Sequence, residues 1–270
     1  MSTTEMARGR SEGTGRGIQS VEIGARLLDV LIETRQSMRL KELSQRAGLS
    51  PSKARMYLVS LMRTGLIEQH ATTGLYAPGP KALRLGMIAL GQNELFRSAR
   101  ELVHGLGRET GQPVLLSAWD GVSPVIVASS ESPDALPIAF RVGVRTPLWT
   151  TATGSVFLAF LPRPLADRLM AEACPPEARP AVASAVEQAG RDGIMYFEVV
   201  RLNAEVTLTG YGAIAAPIFG REGALEFVVT MLAAKHGKTP RRLIDLLKTR
   251  ARAISEAQRE DAGARIAQPA

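Results

Sequence analysis

The chain lacks most of what a catalytic centre or a cross-linked scaffold is built from. It holds one cysteine, Cys174, in 270 residues. A lone cysteine forms no internal disulfide, which agrees with a reducing compartment. Cys174 stands beside Pro175 and Pro176 with no base suggested nearby, so it reads as a packing residue rather than a reactive thiol. The three histidines, His70, His104 and His236, show no metal-ligand spacing. No serine-centred nucleophile elbow or glycine-rich nucleotide loop stands at a strand end, and Gly13, Gly15 and Gly17 follow no strand at all. No apolar run approaches the roughly 20 residues of a membrane span, and Met1 to Gly17 offers no hydrophobic segment for a signal peptide. The expectations are therefore no catalytic residue, no metal, no cofactor, no membrane partner and a cytoplasmic location.

What the chain does have is positive charge. Lys and Arg number 33 against 26 Asp and Glu, a net +7, with a pI near 10.0. Such a balance favours an anionic partner, nucleic acid first and a membrane surface second. The length allows two domains, and 45% hydrophobic residues suffice for two cores.

One stretch concentrates the charge usefully. Leu40, Leu43 and Ala47 recur at helical spacing, Gly48-Leu49-Ser50 breaks the pattern, and Ala54, Leu58, Leu61 and Gly65 restart it on a new face. Ser50 can cap the second helix with its hydroxyl, while Pro51 loses only an amide that has no partner in a first turn. With Ala54, Leu58 and Leu61 inward, Ser52, Lys53, Arg55, Met56 and Arg63 face outward, and Ser60 joins them. From Pro51 to Ile67 there is no acidic residue. That is a cationic helix face suited to the major groove, and a helix-turn-helix is the motif that presents one. Gly65-Leu66-Ile67, a polar stretch with Gln69, Thr72, Thr73 and Gly74, and then Leu75-Tyr76 fit a two-stranded wing whose tip touches phosphate or the minor groove. The competing reading of these residues is a common helical hairpin with a solvated basic surface.

The remaining pattern places this unit in a longer order. Residues 1–17 read as a disordered tail, and Ser20 to Glu33 as a helix with Ile23, Leu27, Val30 and Leu31 on one face. The winged helix-turn-helix spans residues 18–80, closed by Pro78-Gly79-Pro80, and a linker helix spans 81–92. Its apolar stripe of Leu83, Leu85, Ile88 and Leu90 requires a cover, which a second copy of the chain would supply. Residues 93–260 form the second domain. A helix to about Glu109 precedes strands at Val114 to Trp119 and Val125 to Ser129, joined at Asp120-Gly121. Further strands are predicted at Ile138 to Val142, Met195 to Val200, Gly212 to Phe219 and Leu225 to Ala233. Helices are predicted over Thr153 to Leu161, Leu165 to Ala173 and Glu177 to Gly190, with a last one from Pro240 to about Arg259 and a frayed tail over 261–270. The fold class is α+β, an antiparallel sheet covered by helices.

With both halves laid out, the sequence resembles the IclR-type family of bacterial transcriptional regulators. The resemblance rests on Ser20-Val21-Glu22, the run Leu43-Ser44-Gln45-Arg46-Ala47-Gly48-Leu49-Ser50, Leu61 through Ile67, and Tyr76 before Pro78-Gly79-Pro80. In the second half it rests on Glu131-Ser132-Pro133, Val142-Gly143 with Pro147-Leu148, Thr151-Ala152-Thr153-Gly154, and Gly210 through Ala215-Ala216-Pro217-Ile218. It implies a winged helix-turn-helix, a linker helix and a GAF-like domain that senses a small organic molecule, in homodimers or dimers of dimers on an operator in double-stranded DNA. It assigns Ser52, Lys53 and Arg55 to base or phosphate contacts. The chain departs from the family pattern at Met56, where an arginine is usual, so the operator read here is expected to differ.

The ligand site departs as well. Where relatives carry an acidic pair, a cysteine and two serines, this chain aligns Phe197 with Glu198, Ala213, and Thr230 with Leu232. Together with Trp119, Phe140 and Leu148 these predict a largely apolar pocket suited to an apolar molecule or an aromatic acid derivative. The backbone amides of Ala152, Thr153, Gly154 and Ser155 start a helix, where free donors and partial positive charge favour a carboxylate. Two other functions remain open on the sequence. One is a constitutive DNA-binding protein whose second domain only oligomerises, and the other is an enzyme fused to a DNA-binding module.

Overall fold

The computed structural model describes residues 17–34, 36–130, 141–201, 207–208, 210–234 and 240–266. The chain divides between Asn93 and Glu94 into two compact units.

In the first unit, α1 (Gln19–Thr34), α2 (Leu40–Arg46) and α3 (Pro51–Arg63) enclose a small core, followed by β1 (Ile67–Gln69), β2 (Tyr76–Pro78) and α4 (Pro80–Gly91). α1 contributes Leu27, Val30 and Leu31 to that core, α2 contributes Leu43, and α3 contributes Ala54 and Leu58, all buried. Both helix ends at the turns close in the same way. The amide of Leu49 donates to the Ser44 carbonyl and that of Gly48 to Gln45, while Leu66 donates to Leu61 and Gly65 to Met62. Gly48 and Gly65 take left-handed φ values of 65° and 75°, which an L side chain would resist. At the other end of the α2–α3 turn, the Ser50 hydroxyl accepts from the Lys53 amide at 3.3 Å and Pro51 follows in the first turn. The strands β1 and β2 pair antiparallel from Ile67↔Pro78 to Gln69↔Tyr76. Tyr76 also exchanges both backbone bonds with Met38, which ties the wing to the segment before α2. α4 starts from the same corner, its Lys81 amide donating to Gly65. None of its residues is buried, and Leu83, Leu85, Met87 and Ile88 are exposed.

In the second unit, α5 (Glu94–Thr110) leads into β3 (Val114–Trp119) and β4 (Pro124–Ser130). Then come α6 (Ala152–Phe160), α7 (Arg163–Glu172) and α8 (Arg179–Asp192), and after them β5 (Met195–Phe197), β6 (Val200–Arg201), β7 (Thr207–Leu208), β8 (Tyr211–Phe219), β9 (Leu225–Ala234) and α9 (Arg241–Ile266). Five strands form one antiparallel sheet in the order β4-β3-β9-β8-β5. Its two faces are identified by ring contacts. Phe227 meets Phe96 of α5, and Trp119 meets Phe157 of α6, with centroids 5.9 and 5.8 Å apart. Because side chains alternate along a strand, Ser117, Val228, Thr230, Leu232, Ala213, Ala215 and Phe197 share the α6 face with Trp119.

Several predicted elements need correction. Met195 to Val200 reads as one strand, but only Met195–Phe197 pair with β8, and the chain bends at Glu198-Val199. Beyond the bend Val200 and Arg201 pair with Leu208 and Thr207 of β7 instead, so the chain leaves β8 while Gly212 and Tyr211 of that strand are still ahead of it. Of the strand expected over Ile138 to Val142, the first three residues, Phe140 among them, lie outside the described residues. Arg141 and Val142 enter a turn at Gly143, φ 86°, and pairing with β4 starts there, the Gly143 amide donating to the Ile126 carbonyl, the Ile126 amide to the Val144 carbonyl, and Arg145 bridging Val125. The prolines Pro164 and Pro180 sit in the first turns of α7 and α8, moving their starts to Arg163 and Arg179. The last helix does not end near Arg259. It continues through the expected frayed stretch to Ile266, where no proline breaks it and Ala262, Ala264 and Arg265 favour the helix around Gly263. The predicted tail 1–17, apart from its last residue, and Glu131-Ser132-Pro133 lie outside the described residues.

Candidate nucleic-acid interface

α3 projects one acid-free face that is polar and cationic apart from Met56 and Val59. Ser52, Lys53, Arg55, Met56, Ser60 and Arg63 are all exposed, while Ala54 and Leu58 are fully buried on the opposite side. The helix therefore stands in the orientation its spacing predicts. Ser52, Arg55, Met56, Val59, Ser60 and Arg63 line a shallow depression of about 420 Å³ along this face. Glu42, on α2, is paired with Arg46 at 3.5 Å. Two serines are partly engaged: the Ser50 hydroxyl caps the helix, and Ser60 donates back to the Met56 carbonyl at 3.2 Å. Each keeps an oxygen lone pair for a further partner.

The wing tip is held by its own side chains. Gln69 donates to the Gly74 carbonyl at 2.9 Å, and Gly74 adopts φ 68°. His70 Nδ1 accepts from the Thr73 amide at 3.3 Å, so this histidine braces the turn rather than standing free. Thr72 and Thr73 remain exposed at the tip.

The second unit places most of the expected ligand residues together, within one core cluster. Phe197, Ala213 and Leu232 lie directly opposite one another in a row across β5, β8 and β9. Leu148, Ala152, Ala213 and Leu232 are buried in this cluster, and Trp119 and Phe197 are partly exposed at its margin. Thr230 occupies the next row, where its hydroxyl lies 2.8 Å from that of Thr153. Phe140 lies outside the described residues.

The start of α6 offers fewer donors than its sequence suggests. The Gly154 amide donates to the Thr151 hydroxyl at 3.0 Å and the Ser155 amide to the Thr151 carbonyl at 3.1 Å, so two of the four amides serve the helix's own cap. Gly154 is there because a Cβ would overlap the Leu148 carbonyl, which packs onto the helix start.

One residue on this face escaped the sequence reading. Ser117 is buried on β3 opposite Val228, and its hydroxyl has no hydrogen-bond partner. A serine at an inward position of an otherwise apolar strand, Val114-Leu115-Leu116-Ser117-Ala118-Trp119, is the signal that marks it. Elsewhere, Cys174 is buried, and burial pushes its thiol above the ordinary range against the opposing pull of Arg179. Among the described residues no cluster of His, Cys, Asp and Glu is placed to hold a metal ion, and no helix is long and apolar enough to cross a membrane.

Comparison with known proteins agrees with this architecture. Residues 20–71 match the family model described as the IclR helix-turn-helix domain, and residues 87–256 match that of the bacterial transcriptional regulator IclR C-terminal domain. The chain is 32% identical over 144 residues to the HTH-type transcriptional regulator XynR of Escherichia coli, covering 53% of this chain and 57% of that protein. It is 27% identical over 253 residues to the glycerol operon regulatory protein of Streptomyces coelicolor, covering 89% of this chain and 96% of that one. The crystal structure of Pseudomonas aeruginosa HmgR superposes with a TM-score of 0.66 at 27% identity, over 89% of this chain and 99% of that chain.

Proposed function

Because the chain belongs to the IclR family of DNA-binding bacterial transcriptional regulators, we propose that α3 enters the major groove of an operator while the second unit senses a small organic acid. The observation that carries the first half is the exposed, acid-free face of α3 bearing Lys53, Arg55 and Arg63. Cations on such a face neutralise phosphates and release counterions, and side chains between them reach base edges. Thr72 and Thr73 are suited to phosphate contacts from the wing. Ser50 sets where the helix begins and Ser52 and Ser60 supply hydroxyls to bases or phosphate.

The exposed apolar residues of α4, Leu83, Leu85, Met87 and Ile88, support a homodimer or a dimer of dimers. Two recognition helices would then meet half-sites one turn of DNA apart, or a multiple of it. In the cytoplasm, a ligand that favours one arrangement of the second units changes operator affinity by the same factor as the operator changes ligand affinity.

The effector is an aromatic acid or an amide-like derivative of one. Leu148, Phe197, Ala213, Leu232 and Trp119 offer apolar contact, and the amides of Ala152 and Thr153 at the start of α6 are left for a carboxylate. Thermal shift with a panel of acids tests this. Stabilisation by aromatic acids is the expected result, and stabilisation only by small hydroxy or keto acids overturns it. One observation favours a second reading, a constitutive DNA-binding protein whose second unit only oligomerises: the expected ligand residues pack as a continuous core. An acid that stabilises the protein but leaves operator affinity unchanged would favour that reading.

A further inference from the structure

We propose that Met56 reads a thymine, by packing its side chain against the C5 methyl group of that base in the major groove. This rests on the placement of α3 in the major groove proposed above.

Met56 is 65% exposed, and among the described residues it is the one large apolar side chain that α3 leaves in solvent. It lies in the middle of the outward depression, with Ser52 one turn before it, Ser60 one turn after it and Arg55 beside it. Val59, half-buried, extends the apolar surface on the same stripe. The surrounding face is otherwise hydroxyl and guanidinium, with no acid from Pro51 to Ile67. Lys53, Arg55 and Arg63 therefore fix the helix on the phosphates while Met56 occupies the part of the face that meets base edges.

The chemistry of the side chain narrows what it meets there. A thioether donates no hydrogen bond and accepts one only weakly, so it cannot pair with N7 and O6 of guanine and offers the amino groups of adenine and cytosine no more than a weak acceptor. Opposite a G·C pair it would desolvate those groups without replacing their bonds. Of the four bases, thymine alone presents an apolar group in the major groove. The unbranched, flexible side chain adapts to a methyl group whose position varies with local groove shape.

The test uses the full-length protein and DNA sites selected from a random duplex pool. In a selected site each thymine is replaced in turn by deoxyuridine, which differs only in lacking the methyl. One thymine in each half-site should lose about fourfold in affinity, the factor expected from burying a single methyl group. Met56→Ala should bind more weakly and show no difference between thymine and deoxyuridine there. Met56→Arg should select a G·C pair at the same position. A thermal melt equal to that of the native protein confirms that these exposed substitutions leave the fold intact. The proposal is overturned if no thymine in the native complex is sensitive to methyl loss, or if the same sensitivity persists in Met56→Ala. These failures are separable from failure of the broader reading. If Arg55→Ala weakens binding while deoxyuridine has no effect, α3 binds DNA and Met56 does not read thymine. If Arg55→Ala and Met56→Ala both bind as the native protein does, α3 is not the reading element and both ideas fall together.

Discussion

The hydroxyls of Thr153 and Thr230 lie 2.8 Å apart in the buried interior, joining the first turn of α6 to the middle of β9. Their side chains are separated by 77 positions in sequence, so the bond is a product of the tertiary fold and fixes where the helix start sits over the sheet. Replacing either by valine leaves the other hydroxyl without its partner, and the expected loss of stability is about 1–3 kcal/mol. Replacing both removes the polar pair while keeping the shape, so the double variant should lose less than the sum of the singles. Denaturant unfolding of the three variants measures this. Strictly additive losses would mean that the two hydroxyls are not coupled.

Ser117 gives the opposite sign. Its buried hydroxyl has no partner, so Ser117→Ala removes an uncompensated polar group, and the unliganded protein should become more stable by about 1 kcal/mol. A thermal or denaturant melt reads the change. A clear loss of stability would show that the hydroxyl is bonded in solution.

Gly154→Ala should be among the more damaging single substitutions in the second unit. The new methyl would overlap the carbonyl, the carbonyl carbon and Cα of Leu148, which are backbone atoms and cannot rotate aside. Moving that backbone costs about 1–3 kcal/mol and displaces the helix start proposed to hold the effector's carboxylate. Stability and acid binding should therefore fall together. A variant with native stability and native acid binding would contradict the tight approach of Leu148 to α6.

The sequence made the first unit legible because its signals are local. Ser50-Pro51 announces a helix start, Gly48 and Gly65 take the left-handed geometry that ends the preceding helices, and Ala54, Leu58 and Arg55 fall on the faces that period 3.6 assigns them. The antiparallel sheet was legible for a related reason, its long apolar strands β8 and β9 being bounded by Gly210, Gly220 and Gly223. What escaped the sequence depends on partners far along the chain. The end of β5 at Phe197 goes with the pairing of Val200 and Arg201 to β7 rather than to β8, and the segment after Val142 pairs with β4 from the turn at Gly143 onward. The same holds at the expected ligand site. Spacing places Gly154 at a helix start, but only the folded chain shows that Thr151 and Leu148 already occupy part of it.

The central claim is that the outward face of α3 binds the operator, and Arg55 is the residue that tests it. The measurement is operator affinity of the native protein and of Arg55→Ala across a series of salt concentrations. Loss of one cation from the interface should weaken binding at low salt and reduce the slope of log affinity against log salt by about 1. Unchanged affinity together with an unchanged slope would contradict the account, because the DNA would then lie against some other face of the protein.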